Sequence, residues 1–329
     1  MSYNGMMTES KLPLVILTGP TAVGKTRLSV ELARRIGGEI ISADSMQVYR
    51  GMDIGSAKVT REEMQGIPHY LIDEFEPEEE FHVVRFQERA RKYIREIIQK
   101  GKVPILVGGT GFYIQAVLYD IDFTENGSDM TYRTYLQNIA KEEGAEKLHS
   151  LLQQVDPASA TAIHANNVKR VIRALEYFHE TGQKISEHNE SERQKESPYN
   201  FAYFVLNDER DRIYRNIDLR VDQMMEQGLL QEVKALRGRG CTRDMVSMQG
   251  LGYKEILDYM DGRCSLDEAV RILKRDTRHF AKRQLTWFRR ERDVIWVDKN
   301  KFDYNDDRIL TYMEGILDER NIISSSCCQ

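Results

Sequence analysis

Residues 14–26 read Leu-Val-Ile-Leu-Thr-Gly-Pro-Thr-Ala-Val-Gly-Lys-Thr, a short apolar run followed by the pattern of a phosphate-binding loop, or P-loop. Downstream, apolar residues recur at helical spacing at Leu28, Leu32, Ala33 and Ile36. A helix that begins at a glycine-rich loop directs its free backbone N–H groups toward an anion. The order of strand, loop and helix therefore predicts a binding site for a diphosphate or polyphosphate. The residues predicted to hold it are Gly19, Pro20, Thr21, Ala22, Val23, Gly24, Lys25 and Thr26.

Two side chains of the P-loop carry specific chemistry. We expect Lys25 to reach the terminal phosphates and the Thr26 hydroxyl to join the coordination shell of a Mg²⁺ ion. The loop indicates a phosphorylated ligand, but it does not identify ATP and does not say which bond is broken.

The composition is that of an ordinary soluble protein with room for about two domains. The chain has 329 residues, of which 41% are hydrophobic and 30% are charged, with a net charge of −5. No apolar run approaches the roughly 18 residues needed to cross a bilayer, and the N-terminus lacks the features of a secretory signal. The cysteines show no C-x-x-C spacing, which argues against a zinc site or a disulfide framework. We expect a cytoplasmic monomer that does not enter a membrane. The cysteines are Cys241, Cys264, Cys327 and Cys328.

The first third of the chain alternates apolar runs with helical patterns. The runs at residues 14–18, 39–43 and 103–107 are predicted strands, and the last of them follows an amphipathic helical pattern. Such alternation is typical of a parallel sheet with helices packed on it. The predicted fold class is therefore α/β, with a P-loop NTPase-like parallel sheet flanked by helices.

Residues 122–198 have a different character. The segment is polar, poor in strands and rich in amphipathic helical patterns, and Asn126-Gly127 marks a turn near its start. The run at 201–206 then reads as a strand that rejoins the sheet. We predict a catalytic core formed by residues 11–121 and 199–300, an all-helical insertion domain at 122–198, and a C-terminal tail at 301–329.

Asp44 directly follows the second predicted strand. Ligands of open parallel sheets bind at the carboxyl ends of the strands, which places this carboxylate near the P-loop, at the neighbouring strand end. There it can hold Mg²⁺ through water or accept a proton from a nucleophile. The alternative is a structural role, in which Asp44 caps the turn that follows it.

The third predicted strand ends in Gly108-Gly109-Thr110-Gly111. The glycines allow a ligand to approach the backbone and Thr110 supplies a hydroxyl, although such a segment is more often a turn than a site. Many ATPases place an aspartate here to hold Mg²⁺, and this chain does not. Leu71-Ile72-Asp73 offers an aspartate after an apolar pair, but it is a weak candidate because it follows Pro68 and leads into an acidic stretch.

The segment Lys169-Arg-Val-Ile-Arg173 begins a predicted helix of the insertion. Arg170 and Arg173 are three residues apart and therefore share one face of that helix. Contact with phosphates and a simple solvated surface both explain such a pair.

Residues 271–292 carry nine Lys or Arg residues. In a helical projection, Leu273, Phe280 and Trp287 form an apolar seam, and basic residues occupy the opposite side within a wedge of about 60°. This one-sided sorting favours contact with an anion or a nucleic acid over a role in solubility. The basic residues of the wedge are Arg271, Arg275, Arg278, Lys282 and Arg289.

The motifs described above and several others occur in a definite order along the chain. The motifs, in chain order, are Gly19-Pro-Thr-Ala-Val-Gly-Lys-Thr26, Asp44-Ser-Met-Gln47, Gly51-Met-Asp-Ile-Gly55, Gly108-Gly-Thr-Gly111, Lys169-Arg-Val-Ile-Arg173, Arg220-Val-Asp222, Gln249-Gly-Leu-Gly-Tyr-Lys-Glu255 and Ala281-Lys-Arg-Gln-Leu-Thr-Trp-Phe-Arg289. Together they resemble the tRNA dimethylallyltransferases, also called tRNA isopentenyltransferases, over nearly the whole chain. Each motif alone is weak, but all of them in this order are specific. The chain lacks a C-terminal C-x-x-C and His cluster, which resembles the bacterial form of the family.

The resemblance implies transfer of a dimethylallyl group from dimethylallyl diphosphate to N6 of adenosine 37, next to the anticodon of tRNA, with release of diphosphate. It implies that the P-loop, Mg²⁺ and Arg220 hold the diphosphate while Asp44 accepts a proton from the poorly nucleophilic N6. Since no phosphoryl group is transferred, the missing aspartate after the third strand suits this reaction. The implied catalytic residues are Asp44, Lys25, Thr26 and Arg220, with Thr26 as the metal ligand.

The target base must also leave the stacked anticodon loop to reach the allylic carbon. The tRNA contacts implied by the resemblance are Asp44, Ser45, Met46, Gln47 and Thr110 in the channel for the base, Lys169, Arg170, Val171, Ile172 and Arg173 on the anticodon stem-loop with Arg133 as a helper, and Lys282 and Arg283 on the tRNA backbone. The stretch around Gln284 has an alternative role, in which it braces the P-loop.

Two other classes of function share some of these features. A small-molecule or nucleotide kinase that binds ATP has the same loop and core, but a small substrate would not need the basic helix. An RNA-binding module without this chemistry would not need Asp44.

Overall fold

The computed structural model describes residues 11–123 and 130–323. They form two compact units, one made of the described residues up to Leu118 and from Pro198 onward, the other running from Tyr119 to Ser197. The sequence places the insertion at 122–198, a few residues from these bounds. The turn expected at Asn126-Gly127 and the pair Cys327 and Cys328 lie outside the described residues.

Within the described ranges, the first unit contains a six-stranded sheet in which all neighbouring strands run parallel. The central strand reads as a continuous apolar run because both of its faces are covered, and residues 14–17 are fully buried. The P-loop follows this strand and therefore lies in the middle of the carboxyl edge of the sheet. The strands are β1 (Leu12–Thr18), β2 (Gly38–Ser42), β3 (His69–Tyr70), β4 (Val103–Gly108), β5 (Tyr199–Asn207) and β6 (Val294–Asp298), in the spatial order β3-β2-β4-β1-β5-β6.

The α/β class with a parallel sheet is confirmed, but one expected neighbour relation is wrong. β4 lies between β1 and β2, so Asp44 follows a strand that is not adjacent to the one carrying the P-loop. The order of strands depends on crossovers between distant segments, which the local pattern of each strand does not report. The sequence also missed β3, which is only two residues long and lies at the edge of the sheet.

Of the helices before the insertion, the first and the third pack on the sheet. The first of them ends where Gly37 adopts a left-handed conformation and donates its backbone N–H to the carbonyl of Ala33. Its buried face includes the apolar residues whose spacing predicted it, Leu28, Leu32 and Ile36 among them. The helices are α1 (Lys25–Ile36), α2 (Arg61–Met64), α3 (Val83–Gln99) and α4 (Gly111–Leu118).

Helices are the regular secondary structure in the described part of the second unit. Leu136, Leu148, Leu152 and Val171 are fully buried and form the centre of its core. The helices are α5 (Met130–Glu142), α6 (Ala145–Val155), α7 (Pro157–Ala162), α8 (Val168–Thr181) and α9 (Ile185–Gln194).

The C-terminal part of the chain returns to the first unit. The segment from residue 301, expected to be a tail, contains a helix that packs on α1, so that part of the expectation is wrong. Its residues Ile309, Leu310 and Met313 are buried in the core, and the Asn305 side chain accepts the backbone N–H of Arg308 at 3.1 Å as its N-cap. The helices are α10 (Arg210–Gln227), α11 (Leu229–Gly238), α12 (Tyr253–Met260), α13 (Leu266–Phe288) and α14 (Asp306–Glu319).

No helix within the described ranges combines the length and the apolar character that crossing a bilayer requires.

Candidate active site

The P-loop turns tightly against the core at its first residue. Gly19 has φ +146°, and a Cβ atom at this position would lie 2.4 Å from the carbonyl oxygen of Leu206, so only glycine fits. At the other end, Gly24 has φ 97° and caps α1 without a side chain. The free N–H groups of the first turn of α1 are therefore left for an anion rather than for a capping side chain.

Lys25 lies over the P-loop and is bonded to it. Its Nζ donates to the carbonyl oxygens of Gly19 at 2.9 Å and Pro20 at 2.8 Å. Burial lowers the pKa of Lys25 to about 7, the positive charge of Arg220 contributes to this lowering, and the negative charge of Asp44 acts in the opposite direction. The ammonium is thus held in a place where its charge is poorly neutralised, which favours the binding of an anion.

Arg220 supplies the second cation of the site. It lies on α10, and its guanidinium makes no hydrogen bond to any residue in the part of the chain that the structure describes. Burial lowers the pKa of Arg220, although the charge of Glu63 raises it. The positive charges of Arg220 and Lys25 repel each other. A multivalent anion bound between them would therefore stabilise the charged form of both side chains.

Asp44 combines the two roles that the sequence left open. Its Oδ1 accepts the backbone N–H of Met46 at 2.8 Å and that of Gln47 at 3.3 Å, so it caps the turn that follows β2. Its Oδ2 has no hydrogen-bond partner among the described residues. Burial raises the pKa of Asp44, while the two backbone hydrogen bonds and Lys25 lower it, and the raised value is the net result. A carboxylate with a raised pKa and one free oxygen is suited to accept a proton.

The structure brings the ends of three strands together around this carboxylate. Thr18 at the end of β1 donates its hydroxyl to the carbonyl of Gly108 at the end of β4, at 2.6 Å. The backbone N–H of Thr110 donates to the carbonyl of Ala43, the residue before Asp44, at 3.3 Å. Thr110 therefore lies beside Asp44, although the P-loop and Asp44 belong to strands separated by β4.

Three side chains from distant parts of the first unit hold the P-loop from outside. Gln284 on α13 accepts the backbone N–H of Thr21 at 2.9 Å. Asn216 on α10 donates to the carbonyl of Ala22 at 3.3 Å, and Lys299 donates to the carbonyl of Val23 at 3.2 Å. Gln284 is the brace that the sequence offered as an alternative role for its stretch of α13. Asn216 and Lys299 are not predicted by the sequence, because their place beside the loop depends on long-range packing.

Glu232 orders the loop that supports Gln47, and no sequence motif predicts this role. Its carboxylate accepts three successive backbone N–H groups, of residues 53, 54 and 55, at 2.8–3.0 Å, and the hydroxyl of Tyr253 at 2.8 Å. The same loop then holds the Gln47 side chain, because the Nε2 of Gln47 donates a hydrogen bond to the carbonyl of Ala57 at 3.2 Å. The second half of the Gly51–Gly55 motif and the tyrosine of the Gln249–Glu255 motif thus bind a single carboxylate that neither motif contains.

The oxygen atoms near the P-loop fit a Mg²⁺ ion better than a softer metal. The Thr26 hydroxyl is a hard ligand, a carboxylate such as that of Asp44 can act on the ion through water, and Mg²⁺ keeps several waters and binds substrate phosphates. Among the described residues, no group of three or more His, Cys, Asp or Glu side chains could hold a metal by itself. Asp73, the weak alternative ligand, is paired with Lys58. A Mg²⁺ ion would therefore depend on the phosphates of the ligand for most of its coordination.

In the basic segment 169–173 of the second unit, only some of the side chains are exposed to solvent. Lys169, Arg170 and Arg173 are exposed and form no ion pair with the residues that the structure describes. Val171 and Ile172 are buried in the core of the insertion, because they lie on the opposite face of α8. Their side chains cannot reach RNA, which corrects the expectation that all five residues bind it.

Arg133, the expected helper, is bound to a buried acid. Its Nε and one terminal nitrogen donate to the two carboxylate oxygens of Glu176 at 2.6 and 2.9 Å, and the Glu176 side chain is only 3% exposed. The guanidinium therefore stabilises the insertion, and only its remaining N–H groups are left for a phosphate.

The apolar face of α13 differs from the predicted seam. Leu273 is buried as predicted, but Phe280 and Trp287 are only partly buried, and the other buried residues include Ala281, Gln284 and Phe288. The real face is rotated because a polar residue, Gln284, turns inward to bind backbone groups. A hydropathy pattern does not anticipate such a residue.

The basic residues of α13 divide into two groups. Arg271, Arg275 and Arg278 are paired with acids of the same unit, and so is Lys274. Lys282 and Arg283 have no acidic partner among the described residues. They help to line a surface cavity of about 400 Å³ near the end of the helix, together with His279, Thr286, Trp287 and Arg290.

Comparison with known protein families gives one clear match. Residues 47–291 match the family model described as IPP transferase, which covers well over half of the chain. A protein of Lachnoclostridium phytofermentans named tRNA dimethylallyltransferase is 66% identical over 312 residues, which are 94% of this chain and 99% of that protein.

Solved structures agree with this match. A tRNA isopentenylpyrophosphate transferase of Bacillus halodurans is similar with a TM-score of 0.72 and 48% identity, covering 94% of this chain and 98% of the other. A eukaryotic dimethylallyltransferase, solved acting on tRNA, is similar with a TM-score of 0.74 and 30% identity, covering 87% of this chain and 74% of the other.

We expect the contribution of Lys25 to anion binding to decrease as the pH rises above about 7. Below this value the ammonium is already charged, whereas above it binding must take up a proton, which weakens affinity by up to about tenfold per pH unit. The measurement is calorimetric titration with inorganic diphosphate, comparing the natural protein with Lys25→Met at several pH values. The ratio of the two affinities cancels the titration of the ligand itself, and a ratio independent of pH would contradict the prediction.

Proposed function

The chain belongs to the IPP transferase family, and from this membership we propose that it is a tRNA dimethylallyltransferase. It transfers a dimethylallyl group from dimethylallyl diphosphate to N6 of adenosine 37, next to the anticodon of tRNA, and releases diphosphate. The observation that best supports this assignment is the pair of poorly neutralised cations, Lys25 and Arg220, at a P-loop whose partner strand β4 ends in glycine. The site can hold a departing diphosphate without the aspartate that phosphoryl transfer commonly uses. As a tRNA-modifying enzyme it would act in the cytoplasm.

The diphosphate of the substrate binds to the P-loop. The N–H groups at the start of α1 and the side chains of Lys25 and Arg220 surround its oxygens, and this charge favours its departure as an anion. Thr26 is the side chain that would hold Mg²⁺, which when bound neutralises further negative charge on the leaving group. Lys25 lies in hydrogen-bond contact with the loop before the substrate arrives, so little reorganisation is needed.

The bond changes at the allylic carbon balance as a simple substitution. The lone pair of adenine N6 forms a bond to the carbon, the bond between carbon and diphosphate oxygen breaks, and its electron pair leaves with the diphosphate. The proton lost from N6 passes to the free Oδ2 of Asp44. Such assistance typically contributes about 10²–10⁴-fold to the rate, which matters here because the N6 lone pair is delocalised into the ring.

The exposed basic side chains of the second unit are proposed to bind the anticodon stem-loop. Lys169, Arg170 and Arg173 project from one exposed face of α8 and are not neutralised by acids in the described part of the insertion. Lys282 and Arg283 on α13 offer a second basic surface. Phosphate contacts of this kind fix the position of an RNA, and the channel residues then select the base.

The function is tested by incubating the enzyme with Mg²⁺, unmodified tRNA and labelled dimethylallyl diphosphate, followed by nuclease digestion and mass analysis of the nucleosides. We expect a prenylated adenosine from the position next to the anticodon and an equal amount of released diphosphate. Phosphorylation of a metabolite that depends on ATP, with unmodified tRNA recovered, would support the kinase alternative and contradict the proposal.

Two variants of Asp44 separate its role in proton transfer from its role as a cap. The amide oxygen introduced by Asp44→Asn can still accept the N–H groups of Met46 and Gln47, whereas Asp44→Ala loses both functions. We expect both variants to lower kcat by at least about 10²-fold while the affinity for dimethylallyl diphosphate stays within about threefold. If Asp44→Asn kept near-natural turnover in a steady-state assay, Asp44 would only cap the turn.

The double variant Arg170→Ala with Arg173→Ala tests the basic face of α8. Loss of two phosphate contacts should weaken tRNA binding and make the slope of log Kd against log salt concentration shallower by about 1.4–1.8. The matched control is Lys141→Ala with Lys147→Ala, which removes the same charge from exposed positions elsewhere in the insertion. An unchanged slope for the first pair, measured by filter binding at several salt concentrations, would show that these arginines do not contact phosphates.

A further inference from the structure

Gln284 is a buried glutamine that joins two loops of the site. It is 6% exposed, and both polar atoms of its side chain are used. Its Oε1 accepts the backbone N–H of Thr21 in the P-loop at 2.9 Å, and its Nε2 donates to the carbonyl of Gly109 after β4 at 2.9 Å. The side chain therefore fixes the distance between the loop that would hold the diphosphate and the loop that carries Thr110.

The fit between Gln284 and Gly109 is close. A Cβ atom at position 109 would lie 2.2 Å from the Nε2 of Gln284, so the glycine leaves the space that the amide occupies. Neither a hydrocarbon nor a carboxylate can replace this amide, because one end must accept and the other must donate a hydrogen bond.

The helix that carries Gln284 also carries the basic surface described above. Lys282 and Arg283 directly precede it and are exposed, whereas Gln284 and Phe288 are buried on the other side of α13. One turn further on, the indole of Trp287 lies against Gly111, where a Cβ atom would be 2.2 Å from its Cδ1. The outer face of this helix therefore presents Lys282 and Arg283 to solvent. Its inner face contacts both loops of the site.

We propose that Gln284 is a positioning residue that couples the binding of RNA on α13 to the geometry of the P-loop. RNA held by Lys282 and Arg283 restricts α13, and Gln284 passes this restriction to Thr21 and Gly109, so each substrate strengthens the binding of the other. Two sites coupled through a shared element must affect each other equally at equilibrium. This inference rests on the proposed function, because it takes RNA and a diphosphate as the two ligands.

The other two side chains that hold the P-loop, Asn216 and Lys299, differ from Gln284 in their position. Asn216 and Lys299 hold the carbonyls of Ala22 and Val23, but neither lies on α13. Each of them bonds the P-loop alone. Gln284 is the brace that shares a helix with the basic surface, and it alone of the three also bonds the loop after β4.

The test measures the affinity for inorganic diphosphate by calorimetry with and without saturating tRNA, in the presence of Mg²⁺. For the natural protein we expect tRNA to improve the affinity by at least about fivefold, and for Gln284→Met we expect this ratio to fall to about one. If Gln284 had only a structural role, Gln284→Met would lower the affinity for diphosphate equally with and without tRNA, and the ratio would stay unchanged. The control is Gln99→Met, an exposed glutamine at the end of α3, which should keep the natural ratio.

Gly109→Ala gives an independent second variant, since its methyl group displaces the Gln284 amide while Gln284 itself is intact. It should lose the coupling as well.

Thermal melts followed by circular dichroism verify that each variant is folded. Coupling that survives in either folded variant, or its absence from a natural protein that does prenylate tRNA, would overturn the inference. A natural protein that binds tRNA and diphosphate but forms no prenylated adenosine would instead overturn the proposed function.

Discussion

The uncompensated positive charge at the P-loop is the constraint on which the rest of the site depends. Lys25 and Arg220 both lose water on burial, which lowers the pKa of each, and they repel each other. A buried cation is costly unless an anion neutralises it, so the loop favours a ligand with several negative charges. This explains how a P-loop can serve a reaction in which the diphosphate is the leaving group and no phosphoryl group is transferred.

The loop is kept in shape by side chains that come from distant parts of the chain. Gln284, Asn216 and Lys299 each bond a backbone group of the loop, and Lys25 bonds two of its carbonyls from inside. Donors that are already in place lower the free energy needed to organise the site during the reaction. Asp44 is fixed in the same way, because its own turn holds one carboxylate oxygen and leaves the other free.

The features that could be predicted from the sequence are those encoded locally. The P-loop, α1 and the central strand follow from contiguous patterns, and Asp44 follows from its place after a strand. The position of β4 between β1 and β2, the role of Glu232 and the pairing of Arg133 with Glu176 arise from contacts between distant segments. Helix α14 is different, because its apolar spacing and its Asn305 cap are local signals that the sequence analysis missed.

The most direct test of this account compares two ligands of the P-loop by calorimetry, ATP and the unreactive thio-diphosphate analogue of dimethylallyl diphosphate. The account predicts that the analogue binds more tightly than ATP, and that Arg220→Met weakens the analogue by at least about tenfold, the equivalent of about 1.4 kcal/mol. Tighter binding of ATP, with an analogue that neither competes for the loop nor responds to Arg220→Met, would contradict it.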